Sequence, residues 1–228
     1  LISIPLSEAM FTQPDTVIQD PYEPIELNRY AYAKNNPYRY VDPDGHVAVG
    51  FEGFSAGEDS GVDQIGSEII EGDPSIPMRV FGHTEQDEAF DYLKDQIIQN
   101  PNQPIVLFGH SYGADSALEF SKTLGKQGLQ VDRMYLIDTR GAFNNRVPNN
   151  VRSATNFVQA SKLMDLHGKK VEGAMTRDMT RQGVTHTSID SNRNVQQAIV
   201  RGTITAHKNY KGTKEIQKKP SIVQRVKN

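Results

Sequence analysis

A continuous apolar run, Pro104-Ile105-Val106-Leu107-Phe108, leads straight into Gly109-His110-Ser111-Tyr112-Gly113, and a helix follows from Ala114 to about Leu124, stopped at Gly125. An uninterrupted apolar run of this length marks a central parallel strand, buried on both faces. A strand that turns within so few residues into a helix leaves little room for side chains. A G-x-S-x-G pattern at such a junction answers that constraint. The serine sits in a strained backbone conformation, so its hydroxyl projects from the sheet edge. Side chains two residues before or after it would collide with the strand or the helix, so Gly109 and Gly113 are both small. Ala114 keeps the helix close to the strand. The helix N-terminus adds positive potential where an oxyanion would form. A glycine-rich turn that merely contains serine is the plain alternative, but the flanking strand and helix favour Ser111 as a nucleophile.

The rest of the chain alternates strands with helices. His46 to Phe51 reads as a buried strand and residues 55–77 as a long acidic surface loop with a single helical turn. Met78 to Phe81 is a short strand. Thr84 then caps a helix, with Asp87 three residues on as in a capping box, and Phe90, Leu93, Ile97 and Ile98 form its apolar face. Asn100-Pro101 ends it. Val131 to Ile137 and Val151 to Gln159 read as further strands, and Asn192 to Ala206 as a last helix with Val195, Ala198 and Ile199 inward. This alternation predicts a mainly parallel sheet covered on both faces, a three-layer α/β-hydrolase-like domain over residues 46–207. Residues 1–45 carry turn signals at Gln13-Pro14-Asp15, Asn35-Asn36-Pro37 and Asp42-Pro43-Asp44-Gly45, and read as an extended piece without a core of its own. Residues 208–228 read as a basic tail.

A serine hydroxyl needs a base, and the base needs an acid to hold it. In this fold the chain order is Ser, acid, His. Asp138 closes Met134-Tyr135-Leu136-Ile137 and precedes a turn, so it is the first candidate acid; Asp165 and Asp190 are rivals, and a turn-forming role for Asp138 is the plain alternative. His46, His83 and His110 precede Ser111 and violate the order. His110 is expected to fill the elbow and point away from the site. His167 lies in a turn and His207 near the tail. His186, in a polar loop before the last helix, is the candidate base. For the oxyanion, the N–H after the nucleophile belongs to Tyr112, and the second donor is expected from Phe54 or Ser55 in Gly53-Phe54-Ser55-Ala56-Gly57, a segment that an ordinary glycine-rich turn also explains.

Other chemistries find no support. The sequence holds no cysteine, which removes disulfides and thiol nucleophiles. No run matches a phosphate loop or dinucleotide fingerprint, the histidines and carboxylates lack metal-ligand spacing, and neither cofactor nor metal is expected. No apolar run approaches the roughly 20 residues of a membrane helix. Charge is unevenly spread: residues 1–100 carry 19 Asp/Glu against 5 Lys/Arg, and residues 101–228 carry 9 against 20. The last 28 residues hold 8 Lys/Arg and one acid, Glu215. A solvated tail is the plain reading, and attraction to an anionic surface the functional one. Its lysines lack interleaved aromatics beyond Tyr210, so nucleic acid is not an expected partner. Leu1 to Leu6 is no secretory signal, and a chain opening on Leu1 is expected to be a fragment or a processed product.

Two resemblances add to this. Pro14 to Pro21, Asn28-Arg29-Tyr30-Ala31-Tyr32-Ala33-Lys34-Asn35-Asn36-Pro37 and Tyr40-Val41-Asp42-Pro43-Asp44-Gly45 resemble the end of an Rhs-repeat core, a hollow β-cocoon followed by a variable toxin domain. The family's closing motif has Leu after the glycine and supports self-cleavage there; this chain has His46, and Asp42 and Asp44 also suit a turn. Residues 46–206 resemble bacterial lipase-like effectors through the elbow, Asn156-Phe157-Val158-Gln159 and His186-Thr187-Ser188-Ile189-Asp190. The resemblances imply an exported antibacterial toxin with ester-hydrolysing activity, phospholipid as substrate, peripheral membrane contact, a cognate immunity protein and the rest of an Rhs shell as partners. Thioester, peptide or small-ester substrates, or a non-catalytic plug of the shell, are the alternatives.

Overall fold

A computed structural model of the chain describes residues 47–54, 60–99, 103–141, 145–160 and 168–218. The readings on residues 1–46, Ser55, Asn100-Pro101, Asp165 and His167 therefore lie outside the described residues. Strands β1 (Val47–Phe51), β2 (Met78–Phe81), β3 (Ile105–His110), β4 (Arg133–Ile137), β5 (Ala154–Val158) and β6 (Met175–Asp178) form one sheet in the order β2-β1-β3-β4-β5-β6. Every neighbouring pair is parallel. Helices α1 (Gly61–Gly72), α2 (Gln86–Gln99), α3 (Tyr112–Lys126) and α4 (Arg193–Lys218) supply the crossovers and the covering layers.

Side chains alternate across a strand, so each central strand feeds two cores. Val47, Val49 and Phe51 of β1, Ile105 and Leu107 of β3, and Met134 and Leu136 of β4 pack with Ala89 and Leu93 of α2 and with Ala114, Leu118, Phe120 and Leu124 of α3. On the other face Ala48, Val106, Phe108, Tyr135, Ile137 and Phe157 pack with Val62, Ile65 and Ile69 of α1 and with Val195 and Ile199 of α4. The expected three-layer architecture is thus present, with β1, β3 and β4 in its middle.

Several local expectations need correction. The long loop over 55–77 contains α1, a helix of 12 residues. Ser60 caps it, its Oγ accepting from Asp63 N–H at 3.1 Å. Val62, Ile65 and Ile69 bury one stripe, while glycines at both ends and acidic residues outward disguise it. Helix α2 starts at Gln86, two residues after Thr84; the Glu85 carboxylate accepts from Gly82 N–H at 2.7 Å and organises that turn. Ile98 is exposed rather than inward. Strand β6 escaped the sequence reading because all four of its residues are exposed, so no apolar alternation marks it. Helix α4 runs to Lys218, so the boundary drawn at residue 207 falls inside a helix.

Candidate active site

The carboxyl end of β3 turns into α3 at Ser111, which adopts φ 58° and ψ −123°. This is the left-handed side of backbone space, costly for a residue with a Cβ and held here by surrounding structure. Ser111 N–H donates to the Ile137 carbonyl at 2.9 Å, tying the elbow to β4. The two flanking glycines are demanded by space. A Cβ on Gly109 would lie 2.3 Å from the Gly113 carbonyl oxygen, and one on Gly113 would lie 2.1 Å from the Phe51 carbonyl oxygen.

Asp138 follows β4 directly, also at positive φ (51°), with its side chain fully buried. Its amide donates to the Phe157 carbonyl at 2.8 Å. Its Oδ1 accepts from Gln159 N–H at 3.1 Å and its Oδ2 from the Gln159 side-chain amide at 2.8 Å. Gly168 makes room for it, since a Cβ there would sit 2.2 Å from Oδ1. One residue on, Thr139 Oγ1 donates to the buried Asp115 carboxylate of α3 at 2.5 Å, and Gly141 N–H donates to the same oxygen at 3.1 Å. Helix α3, which begins after Ser111, thereby anchors the loop that carries Asp138.

His186 joins the two. Its Nδ1 lies 2.7 Å from Asp138 Oδ2 and its Nε2 lies 2.9 Å from Ser111 Oγ. A carboxylate only accepts, so Nδ1 carries a proton and Nε2 is left to accept from the serine. The loop bearing His186 follows β6 and is shaped by Thr185: Ser188 Oγ accepts from the Thr185 N–H, and the Thr185 carbonyl accepts from Ile189 N–H at 3.0 Å. Buried Ile189 pins that turn to the core. Such a geometry can move a proton from a serine hydroxyl to an imidazole held by an anion, making the oxygen nucleophilic.

Sequence order thus selected three residues that the fold brings together. Asp190 is not beside Ser111 and His186 in the acid's place; its carboxylate faces His110, 3.5 Å from Nδ1. His110 does not point away. Its Nε2 donates to the His186 carbonyl at 2.8 Å, and the two imidazoles lie 4.9 Å apart. A residue at the last position of β3 whose side chain leaves on the site face meets the loop that crosses there. His207 is buried on α4 against Asp73 and Ser75. Gln159, Asp115 and Thr139 were not assigned roles by sequence reasoning, because each meets its partner only across the fold, Gln159 at Asp138 and Thr139 at Asp115.

Tyr112 is the first residue of α3, where an N–H has no acceptor within its own helix. The segment after β1 lies against Ser111: a Cβ on Gly53 would be 3.1 Å from Ser111 Cβ. Phe54 is next and strongly exposed. Its ring meets His83 at 5.9 Å, and His83 meets the half-exposed Tyr112 at 5.9 Å, so three aromatic side chains form a row on the β1/β2 side of Ser111. Among the described residues no group of three or more His, Asp or Glu side chains is arranged to hold a metal ion.

Residues 70–222 match the family model described as a thioesterase domain. Among solved structures the chain is similar to a cutinase-like protein from Cryptococcus sp., at 14% identity over 72% of this chain and 95% of that one, with a TM-score of 0.46. Human thioesterase 2 gives 14% identity, 72% and 97% coverage, and a TM-score of 0.46. The esterase domain of a Rhodothermus marinus protein gives 12% identity, 73% and 87% coverage, and a TM-score of 0.47. No curated protein sequence matches the chain.

Proposed function

This chain belongs to the thioesterase domain family, hydrolases of the α/β-hydrolase fold that act on ester or thioester bonds, and from that premise we propose that Ser111, His186 and Asp138 are its catalytic triad and an acyl ester its substrate. The observation that carries this reading is the unbroken chain of contacts from Asp138 Oδ2 through His186 to Ser111 Oγ, at 2.7 and 2.9 Å.

In the proposed reaction Ser111 Oγ attacks the carbonyl carbon while its proton passes to His186 Nε2. Asp138, held by Gln159, stabilises the imidazolium. The oxyanion is received by the N–H groups of Tyr112 and Phe54. Collapse breaks the bond to the leaving alcohol or thiol, which takes the proton from His186. Water, deprotonated by His186 in turn, then releases the carboxylic acid and restores Ser111. The leaving group departs on the β4–β6 side, where His186 stands, so the acyl group extends toward Phe54, His83 and Tyr112. An exposed aromatic row suits an apolar chain. That row and the 8 Lys/Arg of the last 28 residues support a phospholipid substrate at an anionic membrane surface. Among the described residues no helix is long and apolar enough to cross a membrane, so the contact proposed is peripheral. The resemblance of residues 11–45 to the end of an Rhs core supports the further proposal of an exported toxin, neutralised in its own cell by an immunity protein. The family match favours one second reading, an acyl thioester, since the same steps expel a thiol.

The test uses the whole 228-residue chain, wild type beside Ser111→Ala. Each is offered 4-nitrophenyl esters, an acyl thioester and phosphatidylglycerol vesicles. Fatty acid release from vesicles by the wild type alone is the expected result. Hydrolysis of the soluble substrates but not of vesicles leaves the hydrolase and removes the phospholipid. Equal activity in Ser111→Ala would reject the triad.

A further inference from the structure

His110 is adjacent to the nucleophile in sequence, yet its contacts are with the base. Its side chain is 12% exposed. Its Nε2 lies 2.8 Å from the His186 carbonyl oxygen. A carbonyl only accepts, so Nε2 must carry the proton. Its ring lies against the His186 ring at a centroid distance of 4.9 Å. Its Nδ1 faces Asp190 Oδ2 at 3.5 Å, and Asp190 Oδ1 is engaged by Ser191 N–H at 3.0 Å.

We propose that His110 is a positioning residue, which fixes His186 by donating its Nε2–H to the His186 main-chain carbonyl while its ring backs the His186 ring. The inference rests on the triad reading above. His186 comes from a loop that follows an exposed edge strand, whereas Ser111 stands on a central one. The side-chain bonds to Asp138 and Ser111 orient the imidazole only as well as the loop's backbone is placed. The bond from His110 ties that backbone to β3, the strand that carries the nucleophile. Base and nucleophile then share one rigid element.

Charge follows the same logic. Burial is the largest influence on His110 and pushes its proton affinity down, assisted by His186. The carboxylates of Asp190 and Asp138 and the bond to the His186 carbonyl push it up, and burial wins. A neutral ring beside His186 lets that residue become an imidazolium without a like charge next to it.

The experiment compares His110→Gln with His110→Asn. Both carry a side-chain amide, but only in glutamine does it reach where Nε2 stands; the asparagine amide ends near Nδ1. Hydrolysis of 4-nitrophenyl butyrate by the full chain gives kcat and KM across pH 5 to 9. Thermal unfolding shows that both variants are folded at the assay temperature. A base displaced by about 1 Å loses about 100-fold in rate, so His110→Asn is expected to lose kcat by about that factor with KM within about twofold. His110→Gln is expected to restore kcat to within about threefold of wild type, with an unshifted acid limb. Wild-type kcat in His110→Asn overturns the proposal, and so does a glutamine variant as slow as the asparagine one. Ser111→Ala runs alongside: if it too hydrolyses the ester, the triad reading has failed, and not the role of His110.

Discussion

Gly113→Ala adds one methyl group at the most crowded point of the elbow. The added Cβ would stand 2.1 Å from the Phe51 carbonyl oxygen and 2.5 Å from that of Glu52. Ordinary contact begins at 3.4 Å, so the first of these falls short by about 1.3 Å. Both obstacles are backbone atoms at the end of a fully buried central strand, and neither can swing aside. The start of α3 must therefore retreat from β1 by about 1 Å. Ser111 Oγ then leaves His186 Nε2, now 2.9 Å away, and Tyr112 separates from the Gly53-Phe54 segment. A displacement of this size is worth about 100-fold in kcat, and overpacking a core costs about 1–3 kcal/mol of stability. Steady-state hydrolysis of 4-nitrophenyl butyrate and urea unfolding measure the two effects. Gly128→Ala is the control, because it is the same chemical change with nothing within 4 Å of the new Cβ. It should leave kcat alone while losing about 1 kcal/mol from its positive φ of 76°. Were Gly113→Ala to keep wild-type kcat, the elbow would not be held by this steric fit and the reasoning would be wrong.

Thr139→Val removes the hydroxyl that donates to the fully buried Asp115 carboxylate, and should cost about 1.5–3 kcal/mol in urea unfolding and lower kcat through the Asp138 loop; no loss in either would deny that anchor. Phe54→Ser should raise KM for 4-nitrophenyl dodecanoate about tenfold more than for the acetate, since an apolar chain loses an aromatic partner of this size; equal effects would remove the aromatic row from substrate binding. Burial raises the Tyr92 phenol to about 12 from an ordinary 10, so the folded chain holds that proton more tightly than the unfolded one. Stability is then fully present below pH 10 and is lost between pH 10 and 12. Tyr92→Phe should flatten part of that decline in thermal melts, leaving the part due to Tyr135, which burial also raises; an unaltered decline would exclude Tyr92 as a source.

What the sequence revealed was governed by local chemistry. Ile105 to Phe108 had to be a buried strand because nothing in it can face water, and the glycines at 109 and 113 had to be glycines because backbone stands where a Cβ would go. Chain order then selected Asp138 and His186, because the fold admits few routes from β3 back to the same edge. What stayed hidden depends on partners distant in sequence. Gln159 looks like any strand-end glutamine until β5 is laid beside β4. Asp115 looks like a helix N-terminal acid until Thr139 and Gly141 close over it. His110 was expected to point away because the motif alone says nothing of the loop that arrives 76 residues later. Helix α1 was disguised by its own exposed face, and β6 by having no buried face at all.

The chain leaves β1 toward α1 on one face of the sheet and leaves β3 toward α3 on the other. Between these departures the Gly53-Phe54 segment meets Ser111, a Cβ on Gly53 lying 3.1 Å from Ser111 Cβ. On the Ser111 side a Cβ added at Gly109 or Gly113 meets backbone. On the Phe54 side the ring is 72% exposed, so its size can change while the sheet stays as it is. One sheet edge thus joins a side that admits no added atom to a side open to solvent.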